Sequence, residues 1–85
     1  MTFFVYILYS EEFDAFYKGQ TQNLEERLNR HNSGLVKSTA RYKPWKLVWV
    51  TKKTTRKEAL SLEKKLKNLS REKLKLFMEK YPWRP

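Results

Sequence analysis

From Phe3 to Tyr9 the chain reads Phe-Phe-Val-Tyr-Ile-Leu-Tyr, apolar or aromatic at every position. Both alternating faces of such a segment are apolar, which predicts a strand covered on both sides. Ser10 to Ala15 is a polar connection containing Asp14, and Phe16-Tyr17-Lys18-Gly19 returns as a second strand broken by its glycine. The two strands form an antiparallel hairpin. Asn23 with Glu26 three residues later is a capping-box-like start. The helix it opens runs to about Asn32, with Leu24 and Leu28 as one apolar edge. Gly34 stands just past its end, where a left-handed backbone often closes a helix.

Leu35 to Pro44 carries Lys37, Arg41 and Lys43 with Ser38 and Thr39, and shows neither period. It reads as a basic loop. Trp45-Lys46-Leu47-Val48-Trp49-Val50-Thr51 is rich in β-formers and predicts a third strand. Thr55 and Glu58 make a second capping box, opening a helix to about Leu69. Ser70 caps a last helix from Arg71 to about Lys80, with Leu69 and Leu74 spaced as a hydrophobic staple. Pro82 stops that helix, and Trp83-Arg84-Pro85 is expected to be a loose tail. The order β-β-α-β-α-α predicts an α+β fold, helices packed on a small sheet, in one domain spanning residues 1–85.

Charge narrows the partner. Nineteen Lys and Arg against nine Asp and Glu leave a net +10, which favours a polyanion, of which nucleic acid is the common case. A solvated basic surface with no ligand is the blander alternative. The absence of cysteine excludes disulfides and Cys-ligated zinc, and fits a reducing compartment. No stretch approaches the ~18 apolar residues of a membrane span, and the first residues lack a basic region before an apolar one. The expectation is a cytoplasmic protein.

Glu63 is the most informative side chain. With Ala59 as origin at about 100° per residue, Leu62 lies at about −60°, Leu66 at about −20° and Glu63 at about +40°. Leu60 closes the far side of that apolar arc at about +100°. The carboxylate therefore aims inward from a helix whose other charges are Arg56, Lys57, Lys64, Lys65 and Lys67. An unpaired buried carboxylate costs several kcal/mol, so a partner is required. Two are open: Lys or Arg in a structural ion pair, or a hard divalent cation such as Mg²⁺ or Mn²⁺. One Glu suffices for such an ion, which commonly keeps several waters.

His31 is the only histidine, and it stands four residues beyond Arg27, one turn along the same side of the first helix. It is either a proton-handling group or a packed boundary residue. Tyr6 and Tyr17 lie on the two hairpin strands, as ordinary strand tyrosines or as phenols that take a proton from water. A phenol with a pKa near 10 is about 0.1% ionised at neutral pH, so that role calls for help from cations, which Arg27, Lys18 and a metal could supply.

At this point the pattern resembles the GIY-YIG nuclease domain family, in particular small stand-alone members akin to the N-terminal nuclease domain of the excision-repair protein UvrC. Phe4-Val5-Tyr6 matches the first triplet and Tyr17-Lys18-Gly19 the second. Asn23, Leu24, Arg27, Leu28 and His31 resemble the arginine-bearing helix. Pro44-Trp45-Lys46-Leu47-Val48 resembles the lead-in to the third strand, and Glu58 to Glu63 the helix with the metal-binding glutamate. Phe4 stands where the family has its first glycine, Lys18 where it has isoleucine, and Gln20 where repair members often have lysine. The resemblance implies a three-stranded antiparallel sheet flanked by helices and hydrolysis of phosphodiester bonds in DNA. It also implies Glu63 on Mg²⁺ or Mn²⁺, Tyr6 or Tyr17 activating water, Arg27 on the scissile phosphate and His31 assisting the proton relay. Lys18, Gly19, Gln20, Lys37, Arg41 and Lys43 are the expected nucleic-acid contacts. The expected partner is DNA, with selectivity from structured or damaged sites or from a targeting protein, and neither a membrane nor a small-molecule cofactor; a non-cleaving basic nucleic-acid-binding module on the same fold is the alternative.

Overall fold

The computed structural model describes residues 1–83. Its sheet has the order β2-β1-β3, with β1 (Phe3–Ser10) between β2 (Ala15–Thr21) and β3 (Lys46–Lys53), and both pairings are antiparallel. The central place of β1 accounts for its apolar run on both faces. Three α-helices complete the α+β order: α1 (Leu24–Asn32), α2 (Arg56–Lys67) and α3 (Arg71–Lys80).

The side-chain alternation of β1 divides the interior in two. Phe3, Val5 and Ile7 join Trp49, Ala59, Leu66 and Leu74 in the core under α2 and α3. Tyr6 and Leu8 join Trp45 on the other face, where Leu24 and Leu28 of α1 pack with Tyr17. Tyr6 pairs with Gly19 and Leu8 with Tyr17, so both tyrosines face α1. Ile7 pairs with Lys18, which therefore points the other way.

The three caps form where the sequence places them. Asn23, Thr55 and Ser70 each accept from the backbone N–H three residues on. At α2 the box is doubled, because Thr55 Oγ1 also donates to Glu58 Oε1 at 3.0 Å. Gly34 takes φ +80°, the left-handed conformation expected after α1. The Arg71 guanidinium ties α3 to the hairpin turn through an ion pair with Asp14 and a 2.7 Å bond to its carbonyl.

Four expectations need correcting. The basic loop holds one 3₁₀ turn, Ala40–Tyr42, because Tyr42 N–H bonds back to Thr39 O. The second helix ends at Lys67, as Asn68 caps it. Leu60 is 43% exposed, so the apolar arc of α2 is narrower than its sequence implies. Trp83 is not loose: its ring packs against the α2–α3 core. Arg84 and Pro85, also read as tail, lie outside the described residues.

Candidate active site

Tyr6 is the hub of the site. Its side chain is 1% exposed, and its hydroxyl meets His31 Nε2 at 3.2 Å. The Tyr17 ring stands 6.3 Å from the Tyr6 ring and 4.7 Å from the imidazole. Tyr17, Arg27 and Glu63 act on the phenol by charge. Tyr6, Tyr17 and His31 thus pack together, and Arg27 and Glu63 lie near enough for their charges to reach the phenol.

Gly19 is required by that gathering. A Cβ built on it would stand 2.7 Å from the Tyr6 hydroxyl, closer than real Cβ contacts come, and 3.0 Å from the Tyr17 ring, tighter than most. The tyrosine of the first triplet occupies the space that the glycine of the second leaves empty.

The phenol behaves differently from the expectation that cations would ease its ionisation. Burial pushes the Tyr6 pKa up, the Tyr17 and Glu63 charges add to that, and Arg27 offsets only part. Tyr6 keeps its proton at neutral pH. Lys18 cannot help, because it faces the opposite side of the sheet. There burial, then the charge of Lys67, lowers its own pKa.

His31 is fully buried, and burial followed by the charges of Arg27 and Arg30 lowers its pKa, so the ring is neutral. Both ring nitrogens have partners: Nε2 meets Tyr6, and Nδ1 meets Thr39 Oγ1 at 2.8 Å. The loop carrying Thr39 is fastened in turn. Trp45 Nε1 donates to Thr39 O at 3.0 Å, and the Asn32 side chain clamps the Trp45 backbone through its N–H and carbonyl. Sequence reading missed Thr39, Asn32 and Trp45. The signal for Thr39 was a hydroxyl in an aperiodic loop, which by itself points nowhere.

Glu63 is 17% exposed at its side chain and lies 3.5 Å from Lys67 Nζ, one turn along α2. The structural ion pair considered from sequence is thus present in a loose form, with one oxygen engaged. Among the described residues no cluster of three His, Cys, Asp or Glu stands ready for a metal, so a metal here would depend on a single carboxylate.

The expected nucleic-acid contacts do not form one patch. Gln20 lines a polar depression of about 570 Å³ with Asn23, Arg27 and Arg56. Lys37, Arg41 and Lys43 project from the loop as exposed side chains, with Arg41 over the Tyr42 ring at 5.2 Å. That loop meets the site through Thr39.

The family profile of the GIY-YIG catalytic domain matches residues 2–76. The chain belongs to this family. The fold is that of a nuclease. Its relatives are UPF0213 proteins. It is 40% identical to UPF0213 protein OB0043 of Oceanobacillus iheyensis over 75 residues, covering 86% of each chain. It is 39% identical to UPF0213 protein CPE1444 of Clostridium perfringens, covering 91% of this chain and 84% of the relative. The solution NMR structure of UPF0213 protein BH0048 from Bacillus halodurans superposes with a TM-score of 0.62 at 31% identity, covering 93% of this chain and 84% of that one. No helix among the described residues is long and apolar enough to cross a membrane.

Proposed function

We propose that this chain, acting as a single domain, is a divalent-metal-dependent endonuclease that hydrolyses phosphodiester bonds in DNA with little sequence choice. The observation that carries the reading is the setting of the Tyr6 hydroxyl, bonded to His31 and within reach of the charges of Tyr17, Arg27 and Glu63. Phenol, imidazole, guanidinium and carboxylate are the groups that move a proton, hold a phosphate and hold a hard cation.

The donor set fits Mg²⁺ or Mn²⁺. Glu63 offers hard oxygen, these ions take only one or two carboxylates, and nucleic-acid phosphate supplies further oxygen. The competing Lys67 contact, at 3.5 Å and half-exposed, is weak enough to give way. When bound, the ion polarises the phosphoryl oxygen and steadies the leaving alkoxide.

The residues do the rest. Arg27 binds the scissile phosphate with guanidinium donors that never ionise away. Tyr17, the more exposed phenol, orients the attacking water. The water gives a proton to the Tyr6 oxygen as the Tyr6 proton passes to neutral His31, so no free phenolate forms in a site that disfavours one. The O–P bond forms as the P–O3′ bond breaks, leaving a 3′-hydroxyl that takes its proton from solvent. Lys37, Arg41, Lys43 and the Gly19–Gln20 backbone serve as phosphate contacts, and Lys18 serves beside Lys67 on the far face. Structured or damaged DNA, or a targeting partner, would supply selectivity.

Supercoiled plasmid and branched DNA incubated with Mg²⁺ or Mn²⁺ test this. Wild type should nick, and Glu63→Ala, Tyr6→Phe and Arg27→Ala should each lower the rate by roughly 10²- to 10⁴-fold. Salt-sensitive binding with no nicking under either metal would sink the enzyme and leave a basic binding module on the same fold.

A further inference from the structure

We infer that Thr39 is a positioning residue: it holds His31 in the tautomer protonated at Nδ1, so that the bare Nε2 takes the Tyr6 proton and the Tyr6 oxygen faces the site as an acceptor. The consequence for catalysis rests on the endonuclease reading above; the hydrogen-bond polarity does not.

Both ends of the chain of bonds lead to this polarity. At one end, Thr39 has a single hydroxyl proton and two neighbours for its oxygen, His31 Nδ1 at 2.8 Å and Val36 O at 3.3 Å. A carbonyl can only accept, so the proton directed at Val36 leaves the Thr39 oxygen to accept from Nδ1–H. At the other end, the Tyr6 side chain is buried and its hydroxyl proton needs an acceptor. Nε2 at 3.2 Å supplies one. The reverse tautomer would point Nε2–H at the Tyr6 oxygen and leave the phenol proton without a partner. A neutral imidazole has one donor and one acceptor nitrogen, so fixing Nδ1 fixes Nε2.

The loop is built to hold Thr39 still. Its side chain is buried, its N–H bonds Val36 O at 3.1 Å, and its carbonyl receives the Trp45 indole. The groups facing His31 are Tyr6 from β1, Tyr17 from β2, and Arg27 and Arg30 from its own helix. None of these four supplies an acceptor to Nδ1.

The test combines ¹⁵N spectra of the imidazole with cleavage by the same full-length samples. Wild type should show the Nδ1-protonated pattern. Thr39→Ser should keep that pattern and stay within about three-fold of wild-type cleavage. Thr39→Val, which preserves shape and removes the acceptor, should lose the pattern and cut at least about ten-fold more slowly. An Nε2-protonated ring in wild type would overturn the inference, whatever the variants do. So would an unchanged tautomer in Thr39→Val. If the ring behaves as expected but wild type cuts no DNA, the assignment to Thr39 stands and the endonuclease reading falls.

Discussion

Alternate residues of β1 meet two different interiors. Phe3, Val5 and Ile7 point into a layer of aliphatic and aromatic side chains from β3, α2 and α3. Tyr6 points into a layer where a phenol, an imidazole and a threonine hydroxyl are buried together and bonded in series. The first face gains stability from apolar area removed from water. The second gives up some of that gain, since each buried polar group must find a partner or cost stability. One strand, covered on both sides, sets an apolar core under α2 and α3 on one face and a buried chain of polar groups beside α1 on the other.

The largest effect that separates the faces is Leu66→Ala. Leu66 is fully buried in the α2–α3 core, and its truncation should cost about 2–5 kcal/mol in denaturant unfolding while leaving the His31 tautomer intact in the folded fraction. Tyr6→Phe comes next. It removes one hydroxyl and leaves His31 Nε2 without its donor, for a loss of about 1–3 kcal/mol by the same measurement. If Tyr6→Phe proves as stable as wild type, the buried chain of bonds contributes nothing to the fold and the comparison breaks.

The smallest effect is a pH slope. The folded pKa of His31 is depressed below its ordinary value of about 6.5, so the unfolded chain binds the extra proton first. Stability is fully present above that value and falls as pH drops below it. The unfolding midpoint should therefore decline between pH 7.5 and pH 5.5. His31→Gln should flatten that part of the slope relative to wild type. An identical slope in the variant would show that other groups carry it.

Much of the fold was legible from residues because local rules agreed with one another. Asn23, Thr55 and Ser70 cap their helices, Gly34 takes the left-handed turn, and the apolar run of β1 lies between two strands. Where reading failed, a long-range contact had overridden the local one. Trp83 lies past the proline that stops α3, yet the core receives its ring. Leu60 fits the apolar arc of α2 by angle, but the sheet does not reach far enough around to cover it. Glu63 was read as inward-facing and needing a partner, and it is mostly buried; that Lys67 meets it depends on the rotamers of two long side chains.

By itself the sequence determined the order of elements, their caps, the basic charge, and the residue types that phosphodiester chemistry uses. These follow from short-range periodicity and composition, which a linear chain displays openly. Only the tertiary structure decided that Tyr6 is sealed and keeps its proton while Tyr17 is only partly buried, that Lys18 turns away from the phenols, and that Thr39 stands behind the imidazole. The reason is physical. Burial sets the state of a phenol, strand register sets the face a side chain joins, and loop closure sets which hydroxyl meets which nitrogen. All three depend on residues far apart in the chain being brought to the same place.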